Sequence, residues 1–254
     1  MGAGHTHALY VHEHSPIHRL PPQVKIAAAV LFVFSVAVTP REAIWAFAGY
    51  AVAIAALSRI SRVGLHFLLI RLVGVVPFIA FAFLIPFIAS GQQVEVLGIS
   101  VSQEGLQAAW NIIAKATIGA STSILLAGTT EIPDILAGMA RLKVPVVFTS
   151  IAGFMIRYLG LIVDEIGRMR VAMTARGYDP RWLWQAKPIA QSAGAMFIRS
   201  YERGERVHDA MVARGYRGEM PELRRREPTV REWLLGAMLP LFGISVMVAA
   251  MVTT

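Results

Sequence analysis

Leu72-Val73-Gly74-Val75-Val76-Pro77-Phe78-Ile79-Ala80-Phe81-Ala82-Phe83-Leu84-Ile85-Pro86-Phe87-Ile88-Ala89 contains no charged side chain. A charge-free run close to the roughly 20 residues that cross a bilayer reads as a membrane span. Its two prolines predict a kinked or broken helix. Working outward, Val24 to Val38 and Glu42 to Leu57 are further apolar stretches, joined by Thr39-Pro40-Arg41-Glu42, a turn suited to an antiparallel hairpin. Leu106 to Leu126 and Trp233 to Val252 bring the count to five. Composition points the same way: 56% of the 254 residues are hydrophobic and 16% charged, against about 25% charged in soluble domains. With no cysteine, disulfides, thiolate metal sites and cysteine nucleophiles are excluded.

Charge sets the expected topology. Of 24 Lys and Arg residues, 14 lie between Asp164 and Glu232, accompanied by 10 acids; such an excess marks the side that is not translocated. Ser58 to Arg71 interleaves Arg59, Arg62, His66 and Arg71 with apolar residues and reads as an interfacial connector on that same side. Gly91 to Gly105 has no Lys or Arg and is assigned to the outer side. Within the fourth span, Asn111, Lys115 and Thr122 fall near one helical face. Either that face points into the bundle, with the ammonium on carbonyls or water, or it lines a substrate or ion path.

Thr129-Thr130-Glu131-Ile132-Pro133-Asp134 has the chemistry of a helix start, with threonine caps, early acids and a first-turn proline. The helix ends near Arg141-Leu142-Lys143. Hydropathy alone makes Val144 to Val163 a span. If it crossed, the basic segment Arg168 to Arg176 would lie outside, and Pro188 to Ile198 would have to cross back in 11 residues. The simpler expectation keeps residues 130–231 inside, with five spans, an inner N-terminus and an outer C-terminus; six spans is the competing count. The first 25 residues are not patterned as a signal peptide.

The sharpest signal is an internal repeat. Arg168-Met169-Arg170-Val171-Ala172-Met173-Thr174-Ala175-Arg176-Gly177-Tyr178 returns 38 residues later as Arg206-Val207-His208-Asp209-Ala210-Met211-Val212-Ala213-Arg214-Gly215-Tyr216. Met169, Met173 and Arg176 fall at i, i+4 and i+7, as do Val207, Met211 and Arg214, so the arginine continues an apolar stripe. Glycine follows and can end the helix in a left-handed conformation. The helix tip offers small residues, an adaptable methionine ridge and one guanidinium, a shape suited to a groove. The plainer reading is a pair of ordinary helix ends whose arginines balance the dipole. Two equivalent inserts suggest two equivalent receivers, hence a symmetric dimer beneath the membrane.

Several chemistries are absent. None of the four lysines follows a glycine, so there is no phosphate-binding loop, and His12-Glu13 is followed by Pro16 where a zinc motif needs histidine. No Gly-x-Ser-x-Gly elbow occurs. Acids interleaved through the basic region argue against a nucleic-acid binder, and a membrane enzyme acting on lipid headgroups would lack a recognisable nucleophile. His5, His7, His12, His14 and His18 suit cobalt or nickel in chemistry, but alternate spacing in a tail lacks preorganisation; a surface-packed or disordered tail is the competing reading. No metal site, cofactor or catalytic residue is assigned.

With these residues in view, the chain resembles the transmembrane T component of energy-coupling factor (ECF) transporters, in the CbiQ-type branch of cobalt and nickel importers. The resemblance rests on Ser15-Pro16-Ile17-His18-Arg19-Leu20 with Pro22 and Lys25, Thr129-Thr130 with Pro133, and Leu142-x-Val144-Pro145. Arg157-Tyr158 with Asp164-Glu165, Arg199-Ser200-Tyr201-Glu202-Arg203 and both Ala-Arg-Gly elements complete it. Pro21 departs from the family, which often carries aspartate there. The resemblance implies an all-α integral membrane protein of about five transmembrane helices plus a cytoplasmic helical coupling domain, in a bacterial or archaeal cytoplasmic membrane. The implied parts are an N-terminal segment over 1–23, four spans over 24–129, the coupling domain over 130–231 and the last helix over 232–254. It further implies a non-enzymatic scaffold joining two copies of an ABC-type ATPase to a CbiM-like substrate component, with or without a small CbiN-like subunit, for cobalt or nickel uptake linked to cobalamin biosynthesis. A vitamin importer of the same class is the alternative. Docking on the ATPases would fall to Met173, Ala175, Arg176, Gly177, Met211, Ala213, Arg214 and Gly215.

Overall fold

Pro22 opens the first helix, at a position where its missing N–H costs no hydrogen bond, and Thr39-Pro40 closes it. The computed structural model describes residues 10, 11, 13, 15–88, 93–96, 99–178, 186–218 and 227–253. Its helices are α1 (Pro22–Val38), α2 (Ile44–Ser61), α3 (Leu65–Arg71), α4 (Val76–Ile88), α5 (Gln103–Thr129), α6 (Ile132–Arg141), α7 (Val146–Ala175), α8 (Lys187–Ala213) and α9 (Val230–Thr253). An antiparallel hairpin, β1 (Gln93–Val96) and β2 (Ile99–Ser102), pairs Val94 with Val101 and precedes α5. The chain is an all-α integral membrane protein apart from this hairpin. It forms two compact units, one of α1–α6 with α9, the other of α7 with α8.

In the first unit the core gathers Phe32, Val36, Phe47, Tyr50 and Ile54 from α1 and α2 with Ile118 and Leu125 from α5. Small residues let α9 approach α1. A Cβ on Gly236 would overlap Val24, and one on Gly243 would lie 2.5 Å from Ser35 Oγ and 3.0 Å from Phe32 Cδ2. Tyr50 ties three helices at this level: its hydroxyl donates to the Gly243 carbonyl at 3.2 Å and shares a 2.9 Å hydrogen bond with Thr39 Oγ1. Lys25 Nζ donates to the Thr129 carbonyl at 2.7 Å, and Lys115 Nζ donates to the Ala37 carbonyl at 2.7 Å. The Lys115 ammonium thus serves a carbonyl left over at the end of α1.

These pairings fix direction. Val24 faces Gly236 and Ser35 faces Gly243, so α1 and α9 are parallel. Lys25 meets Thr129 and Lys115 meets Ala37, so α5 is antiparallel to α1. The chain therefore leaves the bundle after α5 and re-enters at α9 on the side where α1 begins. By length and composition, five helical segments among the described residues can cross a membrane: α2, the α3–α4 stretch, α5, α7 and α9, with α1 shorter at 17 residues. Yet α1 runs alongside α9 and α5, whereas α7 crossing alone would strand the chain on the wrong side. A return through α8 would bury Arg199, Glu202, Arg203, Glu205, Arg206 and Asp209 in lipid. Directionality thus adds α1 to the candidate spans, while a non-crossing α7 remains the expectation from charge.

Two local expectations change. The third span starts at Leu65 rather than Leu72, because α3 continues through a 3-10 turn over Leu72–Val75 into α4. The tightening falls just before Pro77, which has no N–H to offer Val73. Arg71 lies within this path with its guanidinium carbon 3.5 Å from the Phe67 ring centre, a cation–π contact one helical turn apart. The threonine cap of α6 is not made: Glu131 is the N-cap residue without a side-chain bond, and the buried Thr130 Oγ1 has no partner. Thr130 instead ends α5 in extended backbone, one residue too early to cap α6. α6 packs on α1, with Arg141 donating to Gln23 Oε1 at 3.3 Å and Gly138 fitted against Ile26, and belongs to the same unit.

The segment before α1 is pinned to the bundle. Val11 N–H donates to the Gly128 carbonyl at 3.0 Å. His18 Nε2 donates to the Val11 carbonyl at 3.1 Å, which leaves Nδ1 to accept from Ser15 Oγ at 2.8 Å in the neutral ring. Burial pushes the His18 pKa down, against the opposing pull of the Val11 bond. His5, His7, His12 and His14 lie outside the described residues.

Candidate partner-docking site

The second unit is built from two amphipathic helices, α7 and α8. Neither helix has a buried residue among those described. Glu165 on α7 joins them, taking Arg199 Nη1 at 3.4 Å and Arg203 Nη2 at 3.5 Å. Ser192 Oγ donates to Met173 Sδ at 3.7 Å. Between the helices lies a groove of about 300 Å³ with Phe154, Tyr158 and Leu161 on one wall and Val207, His208 and Met211 on the other.

Both helices end in the same hydrogen-bonded turn. Tyr178 N–H donates to the Met173 carbonyl at 3.1 Å and Gly177 N–H to the Thr174 carbonyl at 2.9 Å. In α8, Tyr216 N–H donates to the Met211 carbonyl and Gly215 N–H to the Val212 carbonyl, each at 2.9 Å. This pair of bonds is the Schellman termination. It requires a left-handed residue after the cap, supplied by Gly177 at φ +78° and Gly215 at φ +86°. The shared Ala-Met-x-Ala-Arg-Gly-Tyr therefore encodes a helix end twice: methionine provides the accepting carbonyl, arginine the cap position, glycine the reversal, and tyrosine the closing N–H.

The two ends also agree in exposure. Met173 and Tyr178, like Met211 and Tyr216, are half-buried, while Ala175, Arg176 and Gly177, like Ala213, Arg214 and Gly215, are exposed. Neither Arg176 nor Arg214 has an ion-pair partner among the described residues. Each tip presents small residues and one cation against an apolar shoulder. Elsewhere along the two helices Phe148 is 67%, Val171 71% and Phe197 71% exposed.

Sequence reading named Glu165, Arg199 and Arg203 without pairing them. The i, i+4 spacing of the two arginines on α8 was the available signal, since it sets both on one face opposite a single carboxylate. Among the described residues, no group of three or more His, Asp or Glu side chains is placed to hold a metal ion.

Comparison with known proteins adds the lineage. Residues 13–224 match the family CbiQ, cobalt transport protein. The cobalt transport protein CbiQ of Rhodobacter capsulatus is 30% identical over 145 residues, covering 57% of this chain and 59% of that one. The chain thus spans about three fifths of the Rhodobacter relative. The energy-coupling factor transporter transmembrane protein EcfT of Heliobacterium modesticaldum is 25% identical over 230 residues, covering 85% of this chain and 86% of that one. That of Bacillus selenitireducens is 25% identical over 257 residues, covering 94% of each. With the family match running from residue 13 to residue 224, this multi-pass membrane protein belongs to the CbiQ family of cobalt transport proteins.

Proposed function

We propose that the chain is the transmembrane coupling component of an ECF-type importer, a scaffold between two ATPase subunits and a membrane component that binds the substrate. The observation that carries this reading is the duplicated helix end: two matching Schellman turns, each offering an exposed guanidinium without an ion-pair partner among the described residues, on an apolar shoulder. A receiver for such a tip is a groove with an acidic rim, and two like tips call for two like receivers. Arg176 and Arg214 make the ionic contact. Ala175, Gly177, Ala213 and Gly215 allow close approach, and Met173 and Met211 fill the apolar part of each groove. In this reading the α7–α8 unit is cytoplasmic, as the Lys and Arg excess between Asp164 and Glu232 calls for.

In this reading the ATPases supply the energy and the scaffold hydrolyses nothing. Closing of the ATPase dimer moves the two tips, and the long helices α7 and α8 carry that movement to the substrate component. Glu165, holding Arg199 and Arg203, makes the two helices move together. The imported substrate is cobalt, a reading supported by the family description and by the Rhodobacter relative; a CbiM-like partner holds the ion, and the membrane is the cytoplasmic one. The test is co-expression with candidate ATPase and substrate subunits, followed by co-purification and uptake of labelled cobalt with nickel as competitor. ATP turnover by the isolated chain, or no association with any ATPase, sinks the proposal.

A further inference from the structure

The cleft at the entrance of the first and last spans is unclaimed by the coupling reading. It has a volume of about 500 Å³ and is lined by Ser15, Arg19 and Leu20 from the segment before α1 and by Arg231, Glu232 and Leu235 from the start of α9. This lies within the range of small-ligand sites, roughly 300–1,000 Å³. Arg19 and Arg231 have no ion-pair partner among the described residues. The acid of the cleft is engaged elsewhere: Glu232 Oε2 accepts from Thr229 N–H at 2.8 Å and from Thr229 Oγ1 at 3.1 Å, closing a capping box.

Both walls are held in place. Arg19 stands on a turn closed by its own N–H on the Ser15 carbonyl at 3.3 Å and by the Ser15–His18 bond. That turn is tied through His18 to Val11 and through Val11 to Gly128. Arg231 sits in the first turn of α9, whose next turn is locked on α1 where Gly236 meets Val24. Two arginines on anchored backbone thus line one cleft, where α1 and α9 begin. Below them the wall is apolar, and along α9 it continues as exposed Leu234, Leu235 and Met238.

We propose that this cleft is a binding site for an anionic glycerophospholipid, with the phosphodiester between Arg19 and Arg231 and the acyl chains along the exposed face of α9. Guanidinium forks suit phosphate oxygens, and the polar rim above an apolar wall matches the division within a lipid molecule. A free phosphate has the same headgroup chemistry but gains nothing from Leu235.

The test uses the full chain purified in a mild neutral detergent, with phosphatidylglycerol and phosphatidylcholine as probes and native mass spectrometry as the readout. Wild type is expected to retain one phosphatidylglycerol in preference to phosphatidylcholine. The double variant Arg19→Gln, Arg231→Gln should bind it roughly tenfold or more weakly, while Arg59→Gln, Arg62→Gln, equal in charge change but outside the cleft, should not. A photoactivatable phosphatidylglycerol should label residues 15–20 and 231–238 of the unaltered protein, which tests the site even if a variant folds poorly. Equal retention by wild type and the cleft variant, labelling elsewhere, or full displacement by millimolar inorganic phosphate would overturn the assignment.

Discussion

Lys25 at the start of the first span donates its ammonium to the carbonyl of Thr129, the last residue of α5, at 2.7 Å. The two residues are 104 positions apart, and their bond brings the start of α1 and the end of α5 to one end of the bundle. Lys25 is 8% exposed and Thr129 4%, so water does not replace the bond if it is lost. Lys25→Met keeps the chain length but leaves a buried carbonyl unpaired, a cost of about 1–3 kcal/mol. Thermal unfolding of the purified protein should show a lowered midpoint for Lys25→Met and little change for Lys187→Met, which stands in the exposed first turn of α8. Equal midpoints would mean that the bond carries no net stability.

Close packing of α1 on α9 makes a second expectation. A side chain at Gly236 must displace Val24, and one at Gly243 must displace Ser35 and Phe32. All are buried, so overpacking of about 1–3 kcal/mol or more is expected for Gly236→Leu and Gly243→Leu. At Gly49 the nearest neighbour of an added Cβ is the tip of Phe242 at 4.0 Å, and Gly49→Ala should be tolerated. Yield of monodisperse protein in detergent separates the two outcomes.

The absence of cysteine makes topology directly measurable. Glu104→Cys, exposed at the start of α5, should react with a membrane-impermeant maleimide from outside intact cells. Arg217→Cys, beyond the second Schellman turn, should react only after the membrane is opened. Reaction of Arg217→Cys from outside would show that α7 crosses and would end the five-span reading.

What could be read in the sequence was what is written locally. The Schellman ends need only six consecutive residues, from Met173 to Tyr178 and from Met211 to Tyr216, so the repeat showed them before any packing was known. The hairpin was also written, as apolar-polar alternation in Gln93-Val94-Glu95-Val96 and Ile99-Ser100-Val101-Ser102, but the residues between spans were read for charge alone. By contrast, Gly236 against Val24 joins positions over 200 residues apart, and neither residue signals the other. The same is true of Thr130: its identity suits a cap, and only the path of α5 shows that it stands one residue too early.

The pinned N-terminal segment predicts a pH dependence. Burial lowers the His18 pKa, so the folded protein holds this proton less tightly than the unfolded chain. The sign follows: the contribution to stability is full above the unfolded value of about 6.5 and is lost as pH falls through the folded one. A charged ring also loses the acceptor that Nδ1 gives Ser15. Between about pH 7.5 and pH 5, protease access to the segment before α1 should rise in wild type. His18→Gln should flatten that profile.

Arg176 and Arg214 allow the docking proposal to be separated from the plain helix-end reading. If they serve only as caps, the turn should depend on the glycines, and arginine should contribute at most the 0.3–1 kcal/mol of a cation at a helix C-terminus. Gly177→Ala and Gly215→Ala place a Cβ at φ +78° and +86°, costing about 1–2 kcal/mol each, and should loosen the isolated protein. Arg176→Ala and Arg214→Ala should leave the isolated protein nearly unchanged, because both side chains are exposed and without ion-pair partners among the described residues. If these arginines dock in ATPase grooves, the order reverses in the assembled transporter. Removing one guanidinium leaves an acid of the groove unpaired, about 2–5 kcal/mol where the pair is desolvated, while the other arm still holds. Removing both ends the effective concentration that each arm gives the other, so the double variant should lose the ATPases altogether. Lysine should rescue poorly, since it keeps the charge without the planar fork. The readouts are unfolding of the isolated chain, ATPase co-purification, and cobalt uptake. A double alanine variant that assembles and transports like wild type would reduce the repeat to two well-made helix ends.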